Sequence, residues 1–146
     1  MASRIEDILG AKGADVVTVG STATAGEVAA LLTRHGIGAV VVVDDADEPQ
    51  GLVAERDLVH ALDALGVAVL SQPVTQVMSV DVPTCAPQAE VDDVAALMTQ
   101  GRHRHIPVVA EGNLVGIVSV GDVVRSRLAH LTHTAEQLQA YVSGGY

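Results

Sequence analysis

Apolar positions along the chain fall into two kinds of pattern that alternate. Unbroken β-branched runs, "AVVVV" at Ala39–Val43 and "IPVV" at Ile106–Val109, are too short for helices and predict strands. Each is preceded by a helically spaced segment of similar wording, "VAALLT" at Val28–Thr33 and "VAALMT" at Val94–Thr99. Thr24 and Glu27 announce the first of these helices as a capping box, and Gly36 and Gly101 predict where the two helices stop. Short extended pieces, "VVTV" and "VPTC", lead in. Polar turns, "DDADEPQ" and "AEGN", return each apolar run into "GLVA" or "GIVS", so the runs should pair as hairpins. A second helix is expected to open near Asp57 and again near Asp122.

The order strand, helix, strand, strand, helix is therefore written twice, and the phrases "GLVAERD" (Gly51–Asp57) and "GIVSVGD" (Gly116–Asp122) end the two copies in register. Residues 5–66 and 72–127 form the two expected units, with a helical tail over 128–146. The expected class is mixed α/β (α+β). Neither unit can cover its own apolar sheet, so the two should pack about a pseudo-two-fold axis and leave clefts between them. In the tail, Val124, Leu128, Leu131, Ala135, Leu138 and Val142 recur at spacings of 4, 3, 4, 3 and 4, a narrow seam suited to a partner helix or to the body of the protein. Helices near Ile5–Leu9 and Val74–Met78 are expected to join that association surface.

Composition narrows the chemistry. The 146 residues are 49% hydrophobic yet contain no Trp or Phe, so the core is aliphatic and a planar ligand would be gripped by aliphatic groups and backbone. A formal charge of −10 disfavours non-specific contact with nucleic acid or anionic lipid. Cys85 is the single cysteine, which excludes an internal disulfide and suits a reducing compartment. No run is long enough to span a bilayer and the N-terminal stretch carries acids, so a soluble cytoplasmic protein is expected.

The duplicated phrase, with "HIPVV" before one copy and "GAVVVVD" before the other, resembles the CBS domain. Two in tandem resemble a CBS pair, or Bateman module, of the stand-alone bacterial regulatory kind. That resemblance implies binding of an adenosyl nucleotide (AMP, ADP, ATP, NAD or S-adenosylmethionine), with no metal required and no catalysis. It also implies a homodimer that signals ligand occupancy to a regulated partner through its geometry. Carried over by position, it puts Asp122 on the ribose, Ser119 by the phosphate, Thr84 on base or ribose, and Arg104 and His105 on phosphate, with Ile106 and Pro107 beside them.

A hydroxyl and a carboxylate three residues apart at a strand-to-helix turn can both face a cleft, but Ser and Asp there can equally cap the helix. In the first copy Ala54 replaces the hydroxyl, and "GIGA" (Gly36–Ala39) replaces the basic "RHRH" (Arg102–His105). The sequence therefore predicts one competent site at Asp122 and a weaker second site at Thr18, Ala39, Val40 and Asp57. Asp57 could instead pair with Arg56 or cap its helix. His103 and His105 alone make a thin case for zinc, Cys85 reads as a buried thiol, and "DDADEP" reads as a solvated hairpin tip. A structural dimerisation module with no physiological ligand is the competing expectation.

Overall fold

A computed structural model describes residues 4–13 and 15–143; positions 144–146 of the expected tail lie outside the described residues. Helix α1 (Ile5–Lys12) precedes the first unit, which runs β1 (Thr18–Gly20), α2 (Ala25–His35), β2 (Ala39–Val43), β3 (Pro49–Ala54) and α3 (Glu55–Leu65). Two 3₁₀ turns, Val67–Ser71 and Val74–Gln76, lead to the second unit of α4 (Val91–Gly101), β4 (His105–Ala110), β5 (Asn113–Ser119) and α5 (Val120–Ser143). The capping box forms as the sequence requires: Glu27 N–H donates to Thr24 Oγ1 at 3.1 Å and Thr24 N–H to Glu27 Oε2 at 3.2 Å. Gly36 takes the left-handed cap of α2, but α4 runs through Gly101 and Arg102 adopts that conformation instead, at φ 57°.

In the first unit β1 pairs parallel with β2, which pairs antiparallel with β3; in the second, β4 and β5 form the matching hairpin. The strand expected at "VPTC" shrinks to one parallel bridge, Cys85 with Val108. Cys85 N–H donates to Pro107 O and Val109 N–H to Cys85 O. Pro83, Pro87 and Pro107 have no N–H for the flanking rungs, so the ladder stops there.

Three apolar clusters organise the chain. One lies within the second unit, around Val94, Met98, Ile106 and Val118; one lies within the first, around Val28, Val40, Val42 and Val53. The third, with Ala39, Val41, Val43 and Leu52 packed on Leu114 and Ile117, joins the two sheets.

The segments ahead of each unit are exchanged. Ile5, Ile8 and Leu9 of α1 are buried in the second unit's core, while Val74 is buried in the first's. Backbone bonds fix both: Ile5 N–H donates to Ala89 O, and Val74 N–H to Ala23 O. Each segment thus buries one face in the opposite unit, and the second is a 3₁₀ turn rather than the expected helix. The exchange explains why each repeated phrase opens with glycine. A Cβ at Gly51 would stand 2.8 Å from Met78 Sδ, and one at Gly116 would stand 2.7 Å from Leu9 Cδ2.

The first two turns of helix α5 are partly buried, with Asp122, Val123 and Ser126 covered. Beyond them the seam residues are exposed, Leu131 and Leu138 at 63% and Val142 at 76%. None of the described helices is long and apolar enough to cross a membrane.

Candidate ligand clefts

Both repeated phrases deliver an aspartate to the first turn of a helix where a strand ends. At the second, Ser119 and Asp122 form a reciprocal box: Ser119 N–H donates to Asp122 Oδ2 at 2.8 Å, and Asp122 N–H to Ser119 Oγ at 3.2 Å. At the first, Ala54 N–H donates to Asp57 Oδ2 at 2.8 Å, but Ala54 offers no hydroxyl in return. The serine present in only one copy thus caps its helix, and Asp57 caps too, while Arg56 turns away to the carbonyl of Arg102.

The aspartates open into separate cavities of about 410 and 420 Å³, both within the usual range for small-ligand sites. The pseudo-two-fold crosses the halves, so each aspartate meets the turn that leads into the other half's hairpin. Asp57 therefore faces Arg104 and His105, together with Arg56, His103 and Ser119. Asp122 faces the chargeless "GIGA" turn, with Ala39, Lys12 and Arg125 around it. Of the basic run that the sequence grouped with Asp122, His103 and Arg104 line the Asp57 cavity but not its twin, His105 lines both, and Arg102 lines neither. A reading of each half by itself cannot show this, because the packing exchanges their turns. His105, Ser119 and Gly38 line both cavities and form the wall between them. A Cβ at position 38 would come within 3.1 Å of His105 Nε2, so the bare glycine leaves the ring its place.

Charge separates the two sites further. Lys12 Nζ donates to Asp122 Oδ2 at 2.6 Å and to Ile117 O at 2.8 Å, and Arg125 pairs with Asp122 Oδ1. Burial alone would raise the Asp122 pKa, but the hydrogen bond from Lys12 and the Ser119 amide outweigh it and hold it below the ordinary 3.8. The hydrogen-bond donors on Asp57 itself are neutral. Ser79 Oγ donates to Asp57 Oδ1 at 3.2 Å, while the Ser79 N–H donates to Leu52 O at 2.9 Å. Burial, and next the charge of Arg104, push His105 below its ordinary value of 6.5, leaving a neutral ring in the shared wall.

The other expected residues scatter. Ile106 and Val40 are fully buried in the two unit cores, and Pro107 is buried opposite Ile117. Thr84 is exposed and lines neither cleft, and Thr18 lines a separate groove with Asp47 and Asn113. Burial pushes the Cys85 thiol up to about 11, away from nucleophilic use. Among the described residues no group of three or more His, Cys, Asp or Glu could hold a metal. Sequence reasoning missed Lys12, Ser79 and Arg125. Arg125 carried a signal, three residues past Asp122 on a helix; Lys12 and Ser79 carried none, since only the exchanged packing brings them in.

The CBS domain family model matches residues 5–64 and 74–129, and the chain belongs to that family. It is 34% identical to the mitochondrial CBS domain-containing protein CBSX3 of Arabidopsis thaliana over 119 residues, 79% of this chain and 58% of that protein. An uncharacterised protein of Methanopyrus kandleri is 38% identical over 76% of this chain and 57% of its own length, so the chain spans under two thirds of both these relatives. A CBS-domain containing protein of Agrobacterium tumefaciens superposes with a TM-score of 0.85 at 46% identity, covering 87% of this chain and 95% of that one. The CBS domain pair of protein MJ0100, solved in complex with 5′-methylthioadenosine and S-adenosyl-L-methionine, gives 0.79 at 26% identity, with 89% and 99% covered. The chain is thus a tandem CBS pair, two units with a C-terminal helix, of a family whose members are mainly regulatory and non-catalytic.

Proposed function

We propose that this CBS pair is a cytoplasmic sensor that binds an adenosyl nucleotide in the Asp57 cleft and passes occupancy on through the geometry of a homodimer. The observation that carries the reading is the state of the Asp57 carboxylate. Of about four acceptor positions on a carboxylate, Asp57 has filled one on each oxygen, both from neutral donors, so each oxygen can still accept one ribose hydroxyl. Arg104 and Arg56 line the same cavity and suit the phosphates of AMP, ADP, ATP or NAD. The stronger site is thereby proposed on the opposite aspartate from the one the sequence favoured. The adenosyl ligands of the MJ0100 pair support the ligand class. The exposed seam of α5 supports a homodimer, because an apolar stripe of coiled-coil spacing is left uncovered by the described residues.

The test is thermal unfolding against AMP, ADP, ATP, NAD, S-adenosylmethionine and GTP. At a hundredfold excess over Kd a ligand adds about 2.7 kcal/mol, a rise of several degrees. A rise with an adenosyl ligand and none with GTP is expected. No rise with any of them, with no heat in calorimetry, would leave the structural dimerisation module as the better reading.

A further inference from the structure

The two clefts differ most at one atom. In the register that lays Thr18 on Thr84, Met78 and Ser79 of the first unit's cleft correspond to Lys12 and Gly13 of the second's. Ser79 supplies two neutral donors there, its N–H to the Leu52 carbonyl and its hydroxyl to Asp57. In the second cleft a single ammonium does both tasks: Lys12 Nζ reaches the Ile117 carbonyl, which matches that of Leu52, and the carboxylate of Asp122. Gly13 has no side chain to offer, and its φ of 94° disfavours any residue that does.

We propose that Lys12 sets the number of nucleotides each chain holds, because its ammonium occupies one of the two acceptor positions on Asp122 that a ribose diol would need. Asp122 Oδ2 is filled by Ser119 N–H and Lys12, and Oδ1 already takes Arg125, so about one of four acceptor positions is left where a diol requires two. A ligand must displace the cation, and the Asp122 side chain, only 4% exposed, would then give up a charge-assisted bond in partly dehydrated surroundings. That loss corresponds to a roughly ten- to hundredfold weaker site. The cavity itself is not the obstacle, being as large as its twin. Lys12 is anchored to do this: it ends α1, whose Ile5, Ile8 and Leu9 are buried in the second unit.

This inference rests on the ligand reading above, and the experiment separates the two. Wild type and Lys12→Met, which writes the matching residue of the other cleft, are compared by equilibrium dialysis with labelled ATP, AMP and S-adenosylmethionine in turn. Lys12 is partly exposed, so folding should survive; Lys12→Ala serves as a second truncation, and Lys12→Arg keeps the charge. Wild type and Lys12→Arg are expected to bind one ligand per chain, and the two truncations two. Two sites in wild type, or no added site in either truncation, would overturn the role of Lys12. A site gained in Lys12→Met where wild type has none would support Lys12 and overturn the Asp57 reading. No binding by any of the proteins would overturn both.

Discussion

The Asp57 and Asp122 clefts share a backbone plan, an aspartate at the third position of a helix and nearly equal volumes, yet one carboxylate is held by neutral donors and the other by two cations. Duplication has copied the scaffold and left the chemistry free to diverge. The divergence did not arise in the repeated phrase alone. It came from the segments ahead of each unit, where Lys12 and Ser79 reach the same two kinds of acceptor with different charge. In a crossed pair, the composition of one half does not describe the site that carries its motif.

The largest effect expected from that contrast is on affinity. Asp57→Ala removes the acceptor for both ribose hydroxyls and should weaken adenosyl-ligand binding roughly a hundredfold by calorimetry, as expected for two bonds to a charged group. Asp122→Ala should change affinity less than threefold and act on stability instead, costing about 1–3 kcal/mol and lowering Tm by several degrees in a thermal melt. Equal affinity losses in the two variants would erase the distinction between the clefts.

Next in size is the phosphate end. Arg104→Ala should weaken ATP roughly tenfold while leaving adenosine unchanged, since only the former presents an anion to the guanidinium. An equal loss for both ligands would assign Arg104 to the fold.

The Asp122 ion cluster also carries a pH signature. Its folded pKa lies below 3.8, so its stabilisation is fully present above the unfolded value and is lost as pH falls through the folded one. The stability gap between wild type and Asp122→Asn should therefore be widest near neutrality and shrink below about pH 4 in denaturant titrations. A gap that does not change with pH would mean that the carboxylate's charge is not what stabilises the site.

Much of this molecule was legible in its sequence. The duplicated wording, the Thr24–Glu27 box and the β-branched runs specify local structure, and each formed where its chemistry required. What could not be read depends on distant partners. Lys12 lies 110 residues from Asp122, and nothing in local spacing predicts their bond. The missing second-unit strand was in principle readable, because Pro83, Pro87 and Pro107 remove the N–H groups a ladder needs. Arg102 in a left-handed cap was not, since that conformation favours glycine and Gly101 stands one residue earlier.

The smallest expected effect is at Cys85, half-buried with its thiol raised to about 11. Alkylation by iodoacetamide at pH 8 should be much slower than for a free thiol and should not depend on nucleotide. Protection by ligand would place Cys85 near an occupied cleft and blur the contrast drawn between the two.

The most direct test is a crystal structure of the wild-type protein with the adenosyl ligand that stabilises it most. The ribose hydroxyls are expected about 2.5–3.0 Å from the Asp57 carboxylate, with Lys12 still seated on Asp122. A ribose on Asp122, with Lys12 swung aside and the Asp57 cleft empty, would contradict the account.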